Sequence, residues 1–134
     1  MDLRSIDTGA DKEQVIITAT VSCIGADAGS VEVFSTLPFP MQITEIQMVL
    51  ASKLVTASSS HLIKVTDGTN DICANQTYAV ADAIGTKKTP AVSATYGILN
   101  GSDKLVIVGT AGGTQSTAGF ALVVIKAKKI GEAS

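Results

Sequence analysis

The stretch from Asp103 to Lys128, DKLVIVGTAGGTQSTAGFALVVIKAK, restricts the possible fold more than any other part of the chain. Two apolar β-forming runs, Leu105-Val106-Ile107-Val108 and Phe120-Ala121-Leu122-Val123-Val124-Ile125, flank a Gly/Thr/Ser connection too polar for helix or core. This pattern predicts a β-hairpin. Side chains alternate along a strand, so Phe120, Leu122 and Val124 share one face while Ala121, Val123, Ile125 and Ala127 share the other. Both faces are apolar, which predicts a strand inside a sheet with something packed on each side.

The preceding chain continues in the same vein. Residues 1–12, MDLRSIDTGADK, have no period and read as an N-terminal arm, with Leu3 and Ile6 as small anchors if it drapes on a partner or as plain disorder if it does not. Glu13 to Ile24 is dense in Val, Ile and Thr, placing Val15, Ile17, Ala19, Val21 and Cys23 on one face of a first long strand. Val31 to Ser35 is a second strand. Leu37-Pro38-Phe39-Pro40 cannot join a ladder centrally, because two prolines lack N–H donors. In Met41 to Leu50, Ile46, Met48 and Leu50 alternate while Ile43 is out of phase by one residue, which a β-bulge near Thr44 would restore. A helix over Met41 to Leu54 is the rival reading, since Ile43, Ile46 and Leu50 also suit a 3.6-residue period. His61 to Thr66 forms a strand joined across Asp67-Gly68-Thr69-Asn70 to Asp71-Ile72-Cys73-Ala74. Tyr78 to Ala81 and Ala94 to Leu99 are shorter candidates, and residues 131–134 are a polar tail. Eight or nine short strands without a convincing helix predict an all-β antiparallel β-sandwich or jelly roll spanning 13–130.

Composition narrows the function classes. The 134 residues suffice for one domain with its own core. Hydrophobic residues make up 46% and charged ones only 16%, which suits a surface covered by neighbours. Aromatic residues are 4% with no Trp, weighing against aromatic-lined enzyme clefts, sugar sites and base-stacking platforms. A net charge of −2 lacks the basic footprint of a nucleic-acid binder. No uninterrupted apolar run reaches the roughly 20 residues of a membrane span. No basic-then-apolar segment opens the chain, so no signal peptide is visible and a cytoplasmic origin is expected. Cys23 and Cys73 read as two small buried hydrophobes, with a bridge open only if their strands are adjacent.

Candidate chemistry is sparse. His61, the single histidine, lies at a strand start after a serine run and is expected to face solvent. Asp67, Asn70 and Asp71 could offer oxygens to calcium, but their spacing departs from the calcium-loop pattern and turn chemistry accounts for them. Gly109 to Gly113 lacks a following helix, and Gly85 to Thr89 lacks the earlier glycine of a phosphate loop. No catalytic, cofactor or metal site is expected, and the reading is of a non-enzyme.

The succession of Leu37-Pro38-Phe39-Pro40, Ile43-Thr44-Glu45-Ile46 leading a strand, the Asp67-Gly68-Thr69-Asn70-Asp71-Ile72 hairpin, and Gly101-Ser102-Asp103-Lys104-Leu105 opening a final Gly-rich hairpin that ends Val123-Val124-Ile125-Lys126 resembles the small jelly-roll head decoration, or cement, proteins of tailed bacteriophages. The resemblance covers about residues 31–128. It implies a sandwich on the capsid exterior, often a homotrimer at threefold positions, that clamps neighbouring major capsid protein subunits and is assembled in the host cytoplasm. On that reading the expected partner contacts are Leu3, Arg4 and Ile6 in the arm and Leu37, Pro38, Phe39 and Pro40. The alternative is a receptor- or glycan-binding module of a phage fibre or spike, with its site at loop tips such as Ser58 to Ser60 or Gly109 to Gly119.

Overall fold

Runs of β-branched residues broken by Gly, Pro and Ser give nine strands among the described residues of the computed structural model, which are 14–24 and 30–130. They are β1 (Gln14–Ser22), β2 (Val31–Phe34), β3 (Met41–Ser52), β4 (Ser60–Thr66), β5 (Gln76–Ala79), β6 (Lys87–Lys88), β7 (Ile98–Leu99), β8 (Leu105–Ala111) and β9 (Phe120–Lys129). All pairing between these strands is antiparallel. The first sheet runs β1-β9-β3-β6 with β7 also on β3, and the second runs β2-β8-β4-β5. First strand pairs with last, second with next to last, and so inward to β4 with β5. A long antiparallel ribbon nested in this way and rolled into two layers is a jelly roll.

The terminal arm lies outside the described residues, so Leu3, Arg4 and Ile6 do too, as do residues 131–134. No helix among the described residues is long and apolar enough to cross a membrane.

Packing follows the alternation. Val15, Ala127 and Ile43 stand in one inward row of the first sheet, Ile17, Ile125 and Ile46 in the next, then Ala19, Val123 and Met48, then Val21, Ala121 and Leu50. On β9 and β3 every member of these rows is buried. Alanines on β9 sit beside larger partners at both ends, so the rows interdigitate with the opposing Ile63, Val65, Leu105, Ile107 and Tyr78.

The phase break in β3 is the bulge the sequence predicts. Ile43 opposes Ala127 and Glu45 opposes Lys126, so Thr44 is the unpaired extra residue. Its side chain is exposed, and its hydroxyl donates to the Lys126 carbonyl (3.1 Å). A second irregularity falls at Ala51, between the pairs Leu50–Ala121 and Ser52–Phe120. The helical alternative for Met41 to Leu54 is therefore excluded.

Three expectations are corrected. Leu105 to Val108 and Phe120 to Ile125 do not form a hairpin: β8 pairs with β2 and β4, whereas β9 pairs with β1 and β3 in the other layer. The 112–119 connection is an arch between sheets. Ser116 anchors it, its hydroxyl accepting from the Val55 amide (3.1 Å) and donating to the Ala118 carbonyl (2.6 Å). Gly119 closes it at φ +122°, where a Cβ would lie 3.2 Å from the Leu54 nitrogen. Second, Asp71 to Ala74 is not a strand. The Asp67–Asn70 turn forms, but the Ile72 and Cys73 amides both converge on the Val65 carbonyl and the β4 partner is β5. Third, His61 does not face solvent. It is 0% exposed, on the inward face of β4 beside Tyr78 and Ala111. The serine run before it is itself drawn inward, with Ser59 bridged to Thr114.

Deleting Thr44 removes the unpaired residue and places Ile43 directly before Glu45, so the ladder closes without a bulge, Met41 and Ile43 stay inward with Ile46 and Met48, and cooperative folding should persist. Thr44→Ala removes only an exposed hydrogen bond and should cost less than about 1 kcal/mol. Urea denaturation followed by circular dichroism should therefore show a cooperative transition for both variants; loss of the transition on deletion would contradict the assigned bulge.

Candidate interaction surface

The outward residues of the first sheet are also in register across strands. Ser22, Phe120 and Ser52 form one row, Thr20, Leu122 and Val49 the next, then Thr18, Val124 and Gln47, then Ile16, Lys126 and Glu45. The inward residues of β9 had to be apolar for the core, yet among the described residues Phe120, Leu122 and Val124 on its other face are covered by nothing beyond their strand neighbours. Phe120 is 39% exposed and Ile16 is 60% exposed, while Leu122, Val124 and Val49 are half-buried. The result is an apolar and threonine-rich face rimmed by charge. At its border Lys126 meets Glu45 at 3.3 Å, and Glu45 also accepts from the Gln47 amide at 2.7 Å. These two contacts, Gln47 first, hold the Glu45 carboxyl below its ordinary range. Uncharged patches of this kind on a folded surface mark contact sites.

The sequence anticipated both apolar faces of β9, with something packed on each, but not what covers them. It missed this surface because alternation reveals that a face is apolar without revealing which element, if any, lies over it.

Of the predicted contact segment, Leu37 is 3% exposed and belongs to the core, its amide bonded to the Asp103 carbonyl. Pro38 is exposed, and Phe39 and Pro40 are half-buried. Lys129 lies over the Phe39 ring at 5.1 Å, and the Ile130 amide donates to the Pro40 carbonyl. Leu37 therefore fixes the segment, and Pro38 to Pro40 present it at the surface.

The loop tips named for a glycan site do come together, since Ser59 bridges Thr114 and the Gly112 amide donates to the Ser60 carbonyl. They are bonded to each other, however, and Ser59 and Ser116 are buried, so this end of the sandwich is a clasp. A side chain at Gly112 would collide with Ser60 Oγ, 2.3 Å from its Cβ position.

The Asp67 turn uses its oxygens internally. Asp67 Oδ1 accepts the Thr69 and Asn70 amides at 2.9 and 2.6 Å, and Asp71 pairs with Lys64 at 3.0 Å. Partial burial works to raise the Asp67 carboxyl, but these amide donors outweigh it and hold the group low. Among the described residues no group of three or more His, Cys, Asp or Glu could hold a metal ion.

Cys23 and Cys73 are both free and buried. Burial pushes the Cys23 thiol up to about 11 and raises that of Cys73, whose Sγ accepts from the Val65 amide at 3.4 Å. Burial likewise pushes the Tyr78 hydroxyl up to about 12, and it donates to the Thr86 carbonyl at 3.1 Å. Thiols kept neutral and covered have no nucleophilic chemistry.

Comparison with solved structures finds a similar architecture in chains of phage capsids. The chain is similar to one in the capsid asymmetric unit of cyanophage Pam1, with TM-score 0.60 and 13% identity over 97% of this chain and 93% of the other. A chain of the acid-stable capsid of Helicobacter pylori bacteriophage KHP30 gives 0.54 and 10% identity over 86% of both. One in the capsid of Ralstonia phage GP4 gives 0.52 and 9%, over 89% of this chain and 84% of that one. At such identities the shared property is the jelly-roll fold. No protein-family model and no curated protein matches the chain.

Two measurements check this description. Thiol-specific labelling should be negligible in the native protein and reach two groups per chain on denaturation; fast native labelling would contradict the buried thiols. For Glu45, a depressed carboxyl contributes stability above its ordinary value of 4.5, which is lost as pH falls through the lower folded value. The stability difference between wild type and Glu45→Gln should therefore be present at neutral pH and vanish in acid, as read by chemical denaturation at each pH.

Proposed function

We propose that this chain is a structural protein of a virus particle, a decoration subunit bound to the outside of a tailed-phage head where it stabilises the lattice of the major capsid protein. The observation that carries this reading is the near end-to-end match, in both directions, to a chain of the Pam1 capsid. The two chains are about the same size, so the neighbour, like this one, is little more than the sandwich. A subunit of that kind acts by the area it covers. Low charge, an abundance of Ala, Ser, Thr and Gly, and the uncovered outer face of the first sheet suit close apposition to a lattice. Many copies on one shell would add avidity to weak single contacts. The arm residues Leu3, Arg4 and Ile6 and the surface-presented Pro38, Phe39 and Pro40 are the proposed contacts with the shell.

Purified protein added to undecorated heads should bind to saturation at a fixed ratio and raise the temperature at which the heads disrupt. Absence of binding at micromolar concentration would refute the assignment. Removing residues 1–12 should weaken binding by tenfold or more, on the order of two small buried anchors, with the far-ultraviolet dichroism unchanged. Equal affinity of the truncated protein would remove the arm from the contact.

A further inference from the structure

Among the described residues, four strand segments besides β1 lie at the sheet edges, and each is short: β2 and β5 have four residues, β6 and β7 two. Short edges resist pairing with other chains. The exception is β1, nine residues long and bound among the described residues on one side only, to β9. Its ladder with β9 runs from Gln14 to Ser22 without a bulge. Its sequence, QVIITATVS, contains no charge and no proline, so none of the usual devices blunts it.

The direction of its backbone groups can be read from one bond. The Cys23 amide donates to the Gly119 carbonyl, on the β9 side. Backbone groups alternate along a strand, so Val21, Ala19, Ile17 and Val15 also face β9. Gln14, Ile16, Thr18, Thr20 and Ser22 therefore direct their N–H and C=O groups to the open edge.

The side chains on this edge are matched to themselves. Thr18 is the midpoint of β1, and antiparallel pairing of two β1 strands about Thr18 sets Ile16 opposite Thr20 and Gln14 opposite Ser22. These are the residues whose backbone groups point outward, so the parity required for about ten inter-chain hydrogen bonds is met at full overlap. On the inward face the same register sets Ile17 opposite Ala19, large beside small, and Val15 opposite Val21. Val15, Ile17 and Ala19 are only half-buried, whereas Ala127, Ile125 and Val123, beside them on β9, are buried. The core thus stops one strand short of being closed, at the place a second copy would extend it.

We propose that two copies of this chain associate by antiparallel pairing of their β1 strands about a two-fold axis through Thr18, joining their first sheets into one. The pairing is isologous, so it closes at two copies and cannot by itself form a trimer. It is a property of the chain alone and does not depend on the shell. The joined sheet carries both outer faces on the same side, doubling the apolar surface.

Sedimentation velocity of the full chain between about 1 and 200 μM should show a monomer–dimer equilibrium, as suits an edge about 30 Å long at the small end of specific interfaces. Thr18→Pro removes an N–H that makes no bond to β9, so the fold should persist while self-association weakens at least roughly tenfold. Thr18→Cys brings two thiols together at the axis, where the Cα separation of about 5.5 Å permits a disulfide. Mild oxidation should convert it to a covalent dimer while the wild type, with its buried thiols, stays uncrosslinked. A wild type that is monomeric throughout, a trimer, a dimer unaffected by Thr18→Pro, or a Thr18→Cys protein that does not crosslink would each overturn the proposal. Dimerisation only after removal of residues 1–12 would also overturn it, by assigning the edge to the chain's own arm.

Discussion

The two-sided pairing of β9 is the constraint on which the rest of the molecule depends. Residues from the end of the chain are hydrogen-bonded to β1 on one flank and β3 on the other, so both halves of the sequence are committed to one sheet. Each inward row crosses β9, and the row Ile17–Ile125–Ile46 puts three β-branched side chains side by side over the opposing layer. Removing β9 would leave β1 with no partner among the described strands. The bulge at Thr44 serves the same constraint: without it β3 could not present Met41 and Ile43 together with Ile46, Met48 and Leu50 to one core.

What the fold leaves over is as informative as what it buries. A central strand that is apolar on both faces belongs to a sheet with layers on each side, but here one layer is the second sheet and no described residues form the other. The titratable groups add nothing that looks like chemistry. The cysteine thiols and the Tyr78 hydroxyl are held neutral by burial, and the Asp67 carboxylate is used by its own turn. The distinctive features of the described residues are surfaces.

The legible parts of the fold were those governed by local periodicity. The alternation in Gln14–Ser22, the phase break at Thr44, and the turn chemistry of Asp67 to Asn70 each follow from residues a few positions apart, and each is found where the pattern puts it. The arch at 112–119 was misread as a hairpin because Gly, Thr and Ser suit either connection. Only the competition of β2 and β4 for β8, and of β1 and β3 for β9, decides between them. His61 was misread for a related reason: its serine neighbours suggest water, yet Ser59 is tied to Thr114, more than fifty positions away in the chain.

By itself, the sequence determined that the protein is all-β and two-layered, with a bulge in its longest strand, because strand period, branching and turn composition are properties of neighbouring residues. The tertiary structure alone decided which runs share a sheet, that the last two lie in different layers, and that β1 is the long open edge. Those outcomes depend on pairings between distant segments, where several registers are compatible with the same local pattern and only the packing of the whole domain selects one.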